Sequence, residues 1–237
     1  MLDFDRFTYL TFDCYGTLID WERGILAALR PILDRHGITL PDADVLALFG
    51  ELESTAERGP YRTYRDVLAT VVDGFGERLG FASMADERAA FASSVVDWPA
   101  FPDTVTALQS LASRFKLVIL SNVDDDLFAG SARRLQVPFA DVITAQQVGS
   151  YKPDPRNFRV LLERLGNAPD RILHVAQSLF HDIAPANALG LTTVWVNRRH
   201  DRPGTGATPP ATAQPDLEVP DLATLAQLTS TTSAPQR

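Results

Sequence analysis

Cysteine is nearly absent from this chain. Cys14 stands alone, so no internal disulfide can form, and the sequence suits a reducing, cytoplasmic setting. Long apolar runs are missing too: nothing approaches the roughly 20 apolar residues that a membrane-spanning helix needs. The first residues, Met1-Leu2-Asp3-Phe4-Asp5, are acidic and have no basic region ahead of an apolar one, so they do not read as a signal peptide. Positive charge is in deficit. With 22 Lys and Arg against 30 Asp and Glu, the formal net charge is -8, the wrong sign for a nucleic-acid or anionic-membrane partner. Any anionic substrate must be met by a few local donors.

What is present is the composition of a globular protein, with 45% hydrophobic residues and enough of the 237-residue length to bury a large core. The stretch Tyr9-Leu10-Thr11-Phe12-Asp13-Cys14-Tyr15-Gly16-Thr17-Leu18 opens as a strand buried on both faces. It then presents a carboxylate, Asp13, and breaks at Tyr-Gly-Thr. The period next becomes helical: Trp21, Ile25, Ala28, Leu29, Ile32 and Leu33 recur at three- and four-residue spacings, and Gly37 stops the run. Further helices are expected at about 41–58, with Val45, Leu46, Leu48, Phe49 and Leu52 on one face, at 61–79 and at 86–97. Four helices without a strand form an inserted helical unit.

From residue 101 strands and helices alternate. A helix after Phe101-Pro102-Asp103 precedes a strand at 116–121, and a helix at 125–135 precedes a strand at 141–145. A helix at 155–165 and a strand at 171–176 follow, then a helix near 182–189 and a strand at 192–196. This alternation predicts right-handed βαβ units and a parallel sheet with helices on both faces. The fold class expected is therefore α/β, a Rossmann-like parallel sheet interrupted by a helical insert. The division expected is 1–17 with 99–237 for the α/β core and 18–98 for the insert. Residues 201–215 read as a Pro/Gly/Thr/Ala loop and 220–228 as a closing helix. Residues 229–237 are expected to be a disordered tail.

Four spots lie just beyond predicted strands: Asp13 with Tyr15-Gly16-Thr17, Ser121-Asn122, Lys152, and the turn ending at Asp182. Singly, each has a plainer explanation, such as turn chemistry for Ser121-Asn122 or a solvated loop position for Lys152. Jointly they gather a carboxylate, a hydroxyl, an amide and a lysine at one sheet edge, where open α/β sheets bind ligands. That set suits nucleophilic catalysis by Asp13, with Lys152 holding it ionised.

The order Asp-x-Tyr-Gly-Thr-Leu, Leu-Ser-Asn, Tyr-Lys-Pro-Asp-Pro and a late turn ending in Asp resembles the haloacid dehalogenase (HAD) superfamily. The insert is placed like that family's small helical cap. Phosphatases of the family carry Asp two places after the nucleophile as general acid; here that place is Tyr15. They also hold Mg²⁺ with a carboxylate where this chain has Gln177, a poor ligand for a hard cation. The Tyr-Gly-Thr form is similar to the family's 2-haloacid dehalogenases, which need no metal or other cofactor. The resemblance implies hydrolytic dehalogenation of a small anionic 2-haloalkanoic acid through an ester on Asp13. Thr17 and Lys152 would orient and stabilise the nucleophile, and Asp182 would position the hydrolytic water.

Ser121 and Asn122 would receive the substrate carboxylate, and Tyr15, Gln177, Ser178 and His181 would also bind substrate. A cap arginine is also implied as a substrate clamp. The second insert helix offers none near Leu48, which leaves Arg62 or Arg65. Cys14 and Trp98 are expected to pack, and His36 and His200 to have no role. A homodimer through the helices is compatible with such a cap. Two alternatives stay open: a phosphatase for a small phosphomonoester, which would need Mg²⁺, and a catalytically weak protein of this fold that binds an anion or a partner.

Overall fold

The computed structural model describes residues 2–201, 204 and 206–231. Strand β1 (Tyr9–Phe12) is followed by four helices, α1 (Trp21–Arg35), α2 (Asp42–Ala56), α3 (Tyr64–Leu79) and α4 (Ala85–Ser93). The expected fourth helix is shorter than its period suggested, because Ser94–Asp97 tightens into a 3₁₀ turn. Then come α5 (Thr104–Ala112), β2 (Lys116–Ser121), α6 (Asp125–Leu135), β3 (Asp141–Thr144), α7 (Ala145–Val148) and α8 (Pro155–Arg164). The chain finishes with β4 (Ile172–Ala176), α9 (Ala184–Ala188), β5 (Thr192–Val196), β6 (Leu217–Val219) and α10 (Leu222–Thr231).

The sheet is parallel throughout, in the order β3-β2-β1-β4-β5-β6. Leu10, Thr11 and Phe12 of β1 are fully buried, as a central strand covered on both faces requires. Phe12 pairs with Ile119 of β2 on one side and Val175 of β4 on the other. The carboxyl ends of these strands therefore lie level. On one face, α5, α6, α10 and the insert share a continuous apolar cluster with the sheet. On the other, Phe158 and Leu161 of α8 and Ala186 of α9 cover Val118, Leu120, Ile143 and Ile172. Burying each such Leu, Ile or Phe contributes about 1.5–3 kcal/mol.

The insert leaves and rejoins the sheet at one place. Ile19 forms isolated bridges with both Tyr15 and Ala100, and the Phe101 N–H donates to Leu18 O at 3.1 Å. A second tie is made by the Asp124 carboxylate, which follows β2. It accepts from the Tyr64 and Arg65 N–H groups at 2.9 and 3.0 Å, capping the first turn of α3 from outside the insert.

Three local differences from the sequence reading have physical causes. The short strand β6 was not expected, since Leu-Glu-Val between proline-rich stretches carries too few residues to show a period. The helix expected near 182–189 begins earlier, as a π-helical turn over Leu179–Ile183, because Ser178 caps it by accepting from the His181 N–H at 2.9 Å. Helix α10 reaches Thr231, three residues into the expected tail; 232–237 and part of the 201–215 loop lie outside the described residues. Among the described residues, no helix is long and apolar enough to cross a membrane.

Candidate active site

Asp13 is the first residue past β1, and its N–H still donates to Val175 O at 3.2 Å, so the sheet itself aims the side chain. The chain then turns sharply at Gly16, whose φ is +92°. A side chain there would be strained and would press within 3.0 Å of Trp21 and Gln177. That turn brings Thr17 back, and its hydroxyl donates to Asp13 Oδ2 at 2.7 Å while accepting from the Gln177 N–H at 2.9 Å. Asp13 is thus fixed from β1 and from the β4 turn at once.

Lys152 arrives from the loop after α7 and is buried. Its Nζ donates to Asp13 Oδ1 (2.9 Å), to Asp182 Oδ1 (2.6 Å) and to Leu120 O (2.9 Å), which uses all three ammonium protons. Asn122 holds that loop reciprocally: the Lys152 N–H donates to Asn122 Oδ1 at 2.7 Å, and Asn122 Nδ2 donates to Lys152 O at 3.0 Å. Behind Asp182, His174 Nε2 lies 3.1 Å from Oδ1, and its Nδ1 is 2.8 Å from Thr11 Oγ1. Thr11 and His174 are register partners on β1 and β4, so this support is built by the sheet.

Burial works against charge on every member of this group, and the pairing decides who keeps it. Burial raises Asp13 above the usual carboxylate value although Lys152 opposes the shift. Asp182 is buried as deeply, but Lys152 and His174 outweigh that cost and hold it below its ordinary value. Lys152 itself is held above its ordinary value, since two carboxylates overcome its desolvation. Burial lowers His181 to about 4, which makes its imidazole neutral at physiological pH.

The cleft around Asp13 is narrow, with roughly 30 Å³ open to the centre of a water-sized sphere. Ser121, Asn122, Lys152, Tyr15 and the β4-turn residues Gln177, Ser178, His181 and Asp182 all line it. Two of their polar atoms are buried without a partner, Ser121 Oγ and Asp182 Oδ2. The Tyr15 hydroxyl is turned away, 2.9 Å from Ser131 Oγ on α6, and its ring packs edge-on to Trp98. Cys14 is buried and free.

The structure does not bring Arg62 or Arg65 to the cleft. Arg62 donates to Ala56 O at 2.9 Å and to Thr70, and Arg65 pairs with Asp126 at 2.7 Å and reaches Ser93. Both are used in fastening the start of α3. In their place the insert presents Trp21, Glu53, Glu57 and Tyr64. Glu53 does carry a signal in the sequence: it stands four residues after Phe49, and so on the apolar stripe of α2, where a carboxylate is out of place. Thr208 reaches the cleft from the 201–215 loop, and no period marks it.

A hard divalent cation does not fit this donor set. The Lys152 ammonium stands between the two carboxylates, and Gln177 Oε1 accepts from Thr208 at 3.1 Å. Among the described residues, no three His, Cys, Asp or Glu are grouped to hold a metal.

An (S)-2-haloacid dehalogenase from Pseudomonas sp. (strain CBS-3) is 28% identical over 193 residues, covering 79% of this chain and 83% of its own. A phosphoserine phosphatase from Thermus thermophilus is 34% identical over 160 residues, 62% of this chain and 60% of its own. The L-2-haloacid dehalogenase structure from Xanthobacter autotrophicus superimposes with a TM-score of 0.79 at 23% identity, covering 94% of this chain and 98% of that one. The model of the haloacid dehalogenase-like hydrolases matches residues 8–190, and the chain belongs to that family.

Proposed function

We propose that this protein hydrolyses the carbon–halogen bond of a small 2-haloalkanoic acid through an ester on Asp13. The observation that carries this reading is the orientation of Tyr15. Its hydroxyl is committed to Ser131, and burial pushes its pKa well above the ordinary phenol value, so it delivers no proton to a leaving group. Halide is a weak base and leaves without one, whereas the alcohol of a phosphomonoester does not.

In the first half-reaction an Asp13 carboxylate oxygen attacks C2, the C2–halogen bond breaks, and halide departs with the electron pair. Lys152 and Thr17 keep Asp13 oriented by one hydrogen bond on each oxygen. The buried Ser121 hydroxyl, unpartnered in the cleft, receives the substrate carboxylate. Asn122 acts at one remove, by clamping the Lys152 backbone. In the second half-reaction water adds to the Asp13 carbonyl carbon and the ester breaks, giving the 2-hydroxy acid and one proton. Asp182 Oδ2, buried and unpaired, is the acceptor that positions this water, with the neutral His181 beside it. Helices α1–α4 act as the cap, within the division 18–98 against 1–17 and 99–237.

The phosphatase reading is weaker on charge. A phosphate dianion would enter beside the Asp13 and Asp182 carboxylates, with one lysine, already bonded to both, to meet it. Halide release from chloroacetate and 2-chloropropionate, measured in EDTA, separates the readings. Release that survives the chelator and vanishes in Asp13→Asn supports dehalogenation. No halide, but Mg²⁺-dependent phosphate release from p-nitrophenyl phosphate, contradicts it. Inactivity in both assays favours a binding protein.

A further inference from the structure

The cleft has two ends of opposite character. At the sheet end, Ser121 Oγ is buried without a partner, in a residue only 2% exposed, and can donate to an anion. At the insert end stand two carboxylates. Glu53 is 4% exposed, and its Oε1 accepts from the Tyr64 hydroxyl at 2.5 Å. Glu57, just past the end of α2, is half-buried, and among the described residues no hydrogen bond or ion pair reaches its carboxylate.

Among the described residues, the cleft holds no cation beyond Lys152 and His181 to balance them. Lys152 already uses its three protons, and His181 is neutral. Burial pushes Glu53 to about 7 and Glu57 well above its ordinary value, the latter with Glu53 beside it adding to the shift. A buried acid such as Glu53 normally has a partner for its charged form, and a simple 2-halocarboxylate held by Ser121 at the other end would bring it no cation. A ligand that answers both ends has an acid group for Ser121 and a cation for the two glutamates.

We propose that Glu53 and Glu57 are a recognition site for a protonated amine, which makes the substrate class the amino-substituted 2-haloacids. This rests on the dehalogenase reading above and adds the substrate's second group to it. The ammonium donates to the two carboxylates, while halide leaves from C2 by the same balanced displacement by Asp13. Tyr64 is a positioning residue, holding Glu53 toward the cleft.

The test compares 3-amino-2-chloropropionate with 2-chlorobutyrate, in which a methyl group replaces the ammonium at nearly constant shape. Halide release is measured at pH 8 with the full chain. The expected result is a kcat/KM at least tenfold higher for the amino compound, with most of the difference in KM. In Glu57→Gln and in Glu53→Gln, which keeps an acceptor for Tyr64, that ratio should fall tenfold or more. Turnover of 2-chlorobutyrate that equals or exceeds that of the amino compound would overturn the inference while leaving the dehalogenase reading intact. So would a ratio unchanged in both variants. No halide from either compound or from 2-chloropropionate would overturn both.

Discussion

The Tyr15 hydroxyl and Ser131 Oγ lie 2.9 Å apart, joining the residue two places after the nucleophile to α6 rather than to the cleft. On the proposed reading this hydroxyl holds the ring in place and takes no part in the chemistry. Replacing Tyr15 with Phe should keep the edge-on contact with Trp98 and lose only the hydrogen bond, a stability cost of about 1 kcal/mol. Halide release should stay within several-fold of the parent. A loss of about a hundredfold or more, the size expected for removing a general acid, would return Tyr15 to the chemistry.

Lys152 should tolerate nothing. Its ammonium is the shared counter-charge of Asp13 and Asp182, and all three groups are buried. In Lys152→Met the two carboxylates lose that partner, so stability should drop by about 3–5 kcal/mol and turnover should become undetectable. Denaturant unfolding and halide assays on the same sample check both. A variant that folds with parental stability would show that the bridge contributes little.

Glu53 should behave as a group kept for function at a cost in stability. Its pKa rises from 4.5 to about 7 on folding, mainly through burial. Between those values the folded state binds more protons than the unfolded one, so stability is complete below about pH 4.5 and falls as pH rises through 7. A shift of this size corresponds to about 3 kcal/mol. Glu53→Gln, which mimics the neutral acid, should unfold near the parental Tm at pH 5 and clearly above it at pH 8. Equal Tm differences at the two pH values would contradict the raised pKa.

Asp124 ties the insert down by capping α3. Asp124→Ala should cost about 1–2 kcal/mol as a lost helix cap. It should also speed hydrogen exchange at Tyr64 and Arg65 while leaving β1 protected. Uniformly faster exchange would mean that the cap serves global stability alone.

The parallel sheet was legible because β1, β2 and β4 are buried on both faces and read as apolar runs, and because their ends carry Asp13, Ser121 and the Asp182 turn. The same logic placed Lys152 and Thr17 beside Asp13. The insert's contribution was not legible in the same way. Its helices showed their periods, but which side chains hang over Asp13 depends on how α2 and α3 pack on the sheet. Arg62 and Arg65 looked like clamps by residue type, and they are used within the insert and against α6. Glu53 lies on an apolar stripe, but apolar periodicity does not mark a carboxylate. His174 was hidden inside a strand pattern, and only its register with Thr11 reveals its place behind Asp182.

The central claim, an ester on Asp13, is tested most directly by where solvent oxygen goes. Turnover of 2-chloropropionate in water labelled with heavy oxygen should leave the label in the peptide that contains Asp13, because water attacks the aspartyl carbonyl and not C2. A single turnover with excess enzyme should give a 2-hydroxy acid whose new oxygen is unlabelled. Label in that first-turnover product, with the Asp13 peptide at its natural mass, would show direct attack of water on C2 and contradict the account.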